Sequence, residues 1–236
     1  MGGEDGIDDA GLSLSRILPA PKGIFLEGTA QVYRGDSTNL FRADRRSDLS
    51  TVGHLRLYHD INDNTNIDLG GSFARGHSPF ADGWNQVYGF DATLRWKPLQ
   101  RSIYHSFVGR TEWIWARTSA ATVGQQNTVR SHFGFYVSGD YQIGRRWFLG
   151  GRFDRSERVA CLPTDPETNA VCSPGIPALG PMLQDNGGSV LLTYWPSEFS
   201  QIRGQLRRMQ YGEGRTANEI LFQFMFSMGA HGAHPF

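Results

Sequence analysis

A chain of 236 residues whose 23 basic and 23 acidic side chains cancel offers nucleic acid no electrostatic purchase, and its length allows one large β domain or two small ones. Mean hydropathy is −0.40 and no run of about 18 apolar residues occurs, which excludes a transmembrane helix but not a β-barrel, where only alternate residues meet lipid. Twenty-nine Gly, six Trp and 12% aromatic residues suit strands and interfacial aromatic belts better than helices.

The opening Met1 to Asp5, MGGED, lacks the basic and apolar regions of an export signal. Gly11 to Leu18 alternates weakly, Leu12 and Leu14 against Ser13 and Ser15, until the Pro19 to Gly23 cluster stops it. Ile24 to Tyr33 alternates clearly, with Ile24, Leu26, Gly28, Ala30 and Val32 opposite Glu27, Thr29 and Gln31. Leu49 to His59 sets Leu55 and Leu57 against His54 and Arg56, and Asp60 to Asn64 turns the chain. Ile67, Leu69, Gly71 and Phe73 then oppose Asp68, Gly70 and Ser72. After a loop from Gly76 to Trp84, the residues Tyr88, Phe90, Ala92, Leu94 and Trp96 face away from Asp91, Thr93 and Arg95. Lys97 to Gln100 reads as a tight turn.

The next strand, Ile103 to Trp115, carries Phe107, Trp113 and Trp115 opposite Ser106, Arg110 and Glu112, and Thr118 to Asn127 is polar loop. Phe133, Phe135, Val137, Tyr141 and Ile143 oppose Ser138, Asp140 and Gln142, and Gly144 to Arg146 turns into Trp147, Leu149, Gly151 and Phe153 against Arg152 and Asp154. A proline-rich loop of about thirty residues carries both cysteines and leads to a strand from Ser189 to Trp195. Pro196 to Glu198 turns into Ile202, Gly204 and Leu206, opposite Arg203, Gln205 and Arg207. The last strand alternates Ile220, Phe222, Phe224, Phe226 and Met228 with no charge, enough to cross a bilayer at a tilt in about 9–11 residues.

Short connections near Pro19, Asn62, Pro98, Gly144 and Pro196 take turns with longer ones around Ser37, Pro79, Gly124, Cys161 to Cys172 and Gly214. Short turns on one side and long loops on the other are the habit of outer-membrane barrels, and a soluble β-sandwich, the competing reading, has no reason to keep it. Trp96, Trp147 and Trp195 fall beside short turns and Trp113 and Trp115 toward the other rim, as two aromatic girdles require. The expected fold is therefore all-β: an antiparallel transmembrane β-barrel with about ten or eleven strands in this chain, residues 1–236 forming a single domain. Because bacterial single-chain barrels have even strand numbers, an odd count and the missing export signal lead to the expectation that this is the C-terminal part of a longer protein.

The strings EDGIDDAGLSLSRILPAP from Glu4, NIDLGGSFARG from Asn66, DATLRWKPLQ from Asp91, LTYWPSEFSQIRG from Leu192 and LFQFMFSMGAHGAHPF from Leu221 resemble the C-terminal part of outer-membrane barrels similar to the phosphate-selective porin O/P group. The terminal strand closing on Phe236, in step with Phe222, Phe224 and Phe226, resembles the signal read by the barrel-assembly machinery. It departs from that signal at Ala230, Gly232, His234 and Pro235. The resemblance implies location in the bacterial outer membrane, contact with membrane lipid and transport of small polar solutes, and it is compatible with a homo-oligomer.

Nothing in the chain assembles an enzyme site or implies a cofactor. His231 and His234 lack further metal ligands, no Gly-x-Ser-x-Gly elbow stands beside a His/Asp pair, and no phosphate-cradling glycine pattern precedes a helix. Cys161 and Cys172 share one loop of an exported chain and are expected to pair as a disulfide. Alternation assigns Glu27, Arg56, Asp68, Asp91, Arg95, Arg110, Glu112, Asp140, Arg152, Asp154, Arg203 and Arg207 to one face, which needs water because the other meets lipid. Two states of that face stay open: a lumen closed by Arg–carboxylate pairs, and a pore whose Arg110, Arg152, Arg203 and Arg207 draw anions. The expected function is a porin-like passive channel for small polar or anionic solutes. The alternative is a non-conducting barrel, either an adhesin or receptor or a lipid-active enzyme.

Overall fold

The computed structural model describes residues 7, 9–37, 40–79, 82–121, 127–160 and 180–227. Eleven strands follow one another: β1 (Gly11–Ile17), β2 (Ile24–Tyr33), β3 (Ser50–Asn62), β4 (Thr65–His77), β5 (Trp84–Trp96), β6 (Phe107–Ala121), β7 (Asn127–Gly144), β8 (Trp147–Val159), β9 (Met182–Ser197), β10 (Ser200–Gln210) and β11 (Thr216–Phe226). Each pairs antiparallel with the next in one sheet, leaving β1 and β11 at its edges. With an odd number of alternating strands the two edges run in the same direction.

The register separates the two faces along every strand. Ile67, Leu94, Gly109, Gly139, Gly151, Val190, Leu206 and Ile220 line up across β4–β11 in one row on the apolar face. A slip of one residue would put every charged side chain on that face, so the pattern itself fixes the pairing. The apolar face is the open one. Ile220 is 84% exposed, Phe222 76% and Leu206 61%, whereas on β9 the opposite-facing Asp185, Ser189 and Thr193 are buried. A water-soluble sandwich would bury the first set and expose the second; a sheet curved around an aqueous interior, with lipid outside, does what is seen.

The Asp63–Asn64, Arg145–Arg146 and Glu198–Phe199 pairs make two-residue turns at one end of the sheet, here the turn rim. The Asn62 carboxamide oxygen accepts the Asn64 amide at 2.9 Å, and Asn64 in turn accepts the Leu99 amide at 3.0 Å, stitching adjacent hairpins. At the far rim the strands outrun the sequence expectation: β4 reaches His77, β6 Ala121, β8 Val159, and β9 begins at Met182. The far-rim connections 78–83 and 211–215 shrink accordingly, while the turn expected at Lys97 to Gln100 extends through 97–106. The expected short–long asymmetry of connections is therefore partial. Ladder hydrogen bonding continues past the apolar band into polar sequence, where alternation of hydrophobicity no longer reports it.

The β2–β3 connection, 34–49, turns inward over the charged face at the far rim. Phe41 is fully buried there against Gly76, whose absent Cβ would lie 2.5 Å from the Phe41 ring. Asn85 donates to the Leu40 carbonyl at 2.8 Å and accepts the Ser119 amide at 2.9 Å, tying the loop to β5 and β6. Burying Phe41 contributes about 1.5–3 kcal/mol relative to exposing it.

Candidate functional site: the charged inner face

Pairing register gathers the inward side chains into cross-strand rows. One runs Asp68, Thr93, Arg110, Ser138, Arg152, Ser189, Arg207, Glu219. The next, closer to the far rim, runs Glu27, Arg56, Gly70, Asp91, Glu112, Tyr136, Asp154. All twelve residues that alternation assigns to the aqueous side lie on this face.

Most arginines here are held by carboxylates. Arg56 grips Asp68 with two bonds, Nε to Oδ1 at 2.9 Å and Nη2 to Oδ2 at 2.6 Å, and Arg95 approaches the same carboxylate at 3.9 Å. Arg110 meets Asp140 at 3.3 Å, Arg152 meets Asp154 at 2.6 Å, and Arg207 meets Glu219 at 2.6 Å. The Arg152 guanidinium also lies 4.0 Å from the centre of the Tyr136 ring. Arg203 differs: it donates to the Thr193 hydroxyl at 3.0 Å and has no carboxylate partner among the described residues. Sequence alternation placed Ser138 on this face but did not single out Tyr136 or Ser189. The two serines separate the row's arginines, and the Ser189 hydroxyl is buried with no hydrogen-bond partner among the described residues.

The acids are distributed unevenly. Asp91 and Glu112 sit directly opposite each other on β5 and β6, and neither forms an ion pair among the described residues. Asp91 folds over Gly70, whose missing Cβ would lie 2.2 Å from a carboxylate oxygen, so glycine is what lets this carboxylate lie flat on the wall. Asp140 does the same over Gly150 at 2.4 Å. Unpaired negative charge thus lies along β2–β6, and the Arg/Ser row along β6–β10. Among the described residues no three His, Cys, Asp or Glu gather into a metal-holding group.

At the far rim Arg158 bridges Asp185 at 2.8 Å and Glu213, and Asp185 also accepts the Gly212 amide at 2.8 Å. The connection 211–215 is tied to β8 and β9 by this cluster. Hydrogen bonding from Arg158, followed by that of its own backbone amide, holds the Glu213 carboxyl below its ordinary range.

Trp96, Trp113, Trp115 and Trp147 face outward. Trp113 stacks on Phe135 at 4.6 Å and Trp115 packs against Phe133 at 5.3 Å. The ring that meets Trp147, at 4.5 Å, is Tyr194, its register partner, and Trp195 follows it where a bulge interrupts the β9–β10 pairing, its amide donating to the Arg146 carbonyl at 2.9 Å. Phe222, Phe224 and Phe226 face outward from β11, the latter two 5.9 Å apart. Phe236, the Cys161–Cys172 pair, His231 and His234 lie outside the described residues.

No family model matches the chain. It is 26% identical over 267 residues to an uncharacterized protein of Aquifex aeolicus (strain VF5), covering 98% of this chain and 52% of that protein. Among solved structures it is similar to the open form of the ferric-catecholate import receptor Fiu from E. coli K12, with a TM-score of 0.52 and 13% sequence identity over 92% of this chain and 49% of that one. The fold is thus that of an outer-membrane β-barrel wall: all-β, antiparallel, in strand order. The chain spans about half the length of each of these two proteins.

Proposed function

We propose that this sheet is part of the wall of a closed bacterial outer-membrane barrel through which small polar solutes pass passively. The observation that carries the reading is the division of charge: ion pairs and unpaired carboxylates fill the enclosed face, while the midsection of the opposite face is uncharged. Charged side chains in a membrane wall need an aqueous interior. The parallel edges β1 and β11 require further strands for an antiparallel closure, and the wider barrel so formed has room for water, since about eight strands fill their interior and about sixteen leave a channel. Outward Phe222, Phe224 and Phe226 of β11 are the side chains the assembly machinery would read.

Anion preference in this channel is weak, because Arg110, Arg152 and Arg207 spend much of their field on their own carboxylates. Arg203 is the arginine with field to spare. The test is conductance of the full-length protein in a planar bilayer under a salt gradient. Discrete steps are expected, and Arg203→Glu with Arg207→Glu should move the reversal potential toward cations, since fixed charge near a pore wall biases ion entry. Absence of steps would promote the second reading, a non-conducting receptor, which the 34–49 connection favours because its Phe41 packs over the charged face at Gly76.

A further inference from the structure

Following each strand outward from the turn rim, the first charged or strongly polar side chain beyond the apolar band is arginine on every second strand: Arg75 on β4, Arg117 on β6, Arg155 on β8 and Arg208 on β10. The intervening strands put uncharged Gln86, Ser131, Asn186 and Asn218 at that boundary. Glu157 is the one carboxylate on the outward face of the described strands; all their other acids face inward. Arg75 and Arg117 share one row through Gln86, roughly 10 Å apart at about 4.8 Å per strand, whereas Arg155 falls in the row of Phe135 and Trp113 and Arg208 in the row of Gly188 and Phe153, each pair of strands stepping the boundary toward the turn rim. Immediately below Arg75 and Arg117 on β4–β7 runs an aromatic row, Phe73, Tyr88, Trp115 and Phe133, in continuous register. Aromatic rings of this kind sit at headgroup level, so the arginines sit among the headgroups.

These arginines stand on the apolar face, and most lack a protein counter-charge among the described residues. Arg117 and Arg208 are exposed and have no partner among the described residues. Arg75 is braced with its guanidinium 4.1 Å from the centre of the Trp84 ring. Arg155 reaches Glu157 only at 3.5 Å, and its Nε is buried without a hydrogen bond. Guanidinium groups pair with phosphate oxygens through two parallel bonds, which an ammonium cannot do. We propose that Arg75, Arg117, Arg155 and Arg208 form a belt that binds the phosphate groups of anionic lipids in the leaflet at the far rim. The belt lies outside the lumen and holds whether or not the barrel conducts.

The test uses the full-length protein in mild detergent, with tryptophan quenching by brominated phosphatidylglycerol measured against brominated phosphatidylcholine. Wild type should prefer the anionic lipid, and the preference should fall as salt rises. Each basic residue near an anionic lipid surface is worth about fivefold in binding, so Arg117→Gln with Arg208→Gln should lower the preference on the order of twentyfold and the fourfold variant further. Both residues of the double variant are exposed and unpaired, so it decides the matter even if the fourfold variant does not fold. An unchanged preference in the double variant overturns the belt. So does a preference lost only on Arg16→Gln, the outward arginine at the turn rim, because the lipid would then bind at the other end.

Discussion

Val190 offers the sharpest contrast between a sheet in lipid and the same sheet in water. It faces outward on β9 and is 57% exposed, four residues from outward Tyr194 at the turn rim and four from outward Asn186 at the far boundary. At about 3.4 Å per residue it lies roughly 13 Å along the strand from each, at mid-membrane. In water, Val190→Arg would be a surface substitution within about 0.5 kcal/mol of neutral. In a bilayer it places a guanidinium at the midplane, at about 2–4 kcal/mol, or on the order of a hundredfold in the folding constant. Gln205→Arg, inward-facing on the adjacent strand, is expected to stay within about 1 kcal/mol because its side chain enters water. The measurement is reversible denaturant unfolding of the full-length protein in lipid vesicles, analysed by linear extrapolation with unchanged slope. If Val190→Arg matches wild type, or Gln205→Arg is the more damaging of the two, the assignment of lipid to the open apolar face is wrong.

Phe41→Ala removes the large apolar side chain by which, among the described residues, the 34–49 connection is anchored, at about 3–5 kcal/mol for a fully enclosed ring, and limited proteolysis should cut this connection faster while the strands stay protected. The Glu213 carboxyl, held low by Arg158, should titrate below an ordinary glutamate and return toward it in Arg158→Gln, read by side-chain NMR. Because its folded value is depressed, the tether it makes is complete at pH values above the unfolded pKa of about 4.3 and is lost as pH falls through the folded one. Cys161 and Cys172 should show no reactive thiol in unreduced, denatured protein, and closing their loop would contribute on the order of 3 kcal/mol in the chain-entropy model; two free thiols would contradict the pairing.

Strand order and facing were legible because β2 and β5 alternate without interruption, Leu26, Gly28 and Ala30 against Glu27 and Thr29, Phe90 and Ala92 against Asp91 and Thr93. Strand ends were not, since the sequences around His77, Ala121 and Met182 are polar or mixed and their pairing is set by the neighbouring ladder rather than by their own pattern. Which arginines are neutralised could not be read at all. Arg207 finds Glu219 twelve residues on and Arg110 finds Asp140 thirty residues on, and only the register decides those meetings. The inward path of 34–49 depends on Gly76 leaving space for a ring from another segment, which no local pattern announces.

The central claim, lipid on one face of this sheet and water on the other, is tested most directly by thiol accessibility at consecutive positions. In full-length protein with Cys161 and Cys172 replaced by serine and reconstituted in vesicles, single cysteines at Tyr136, Val137 and Ser138 on β7 and at Gln205, Leu206 and Arg207 on β10 would be exposed to a charged, water-soluble maleimide and, separately, to a lipid-soluble one. Positions 136, 138, 205 and 207 should react with the water-soluble reagent and 137 and 206 with the lipid-soluble one alone; reaction of 137 and 206 with the charged maleimide, at rates equal to their neighbours, would contradict the account.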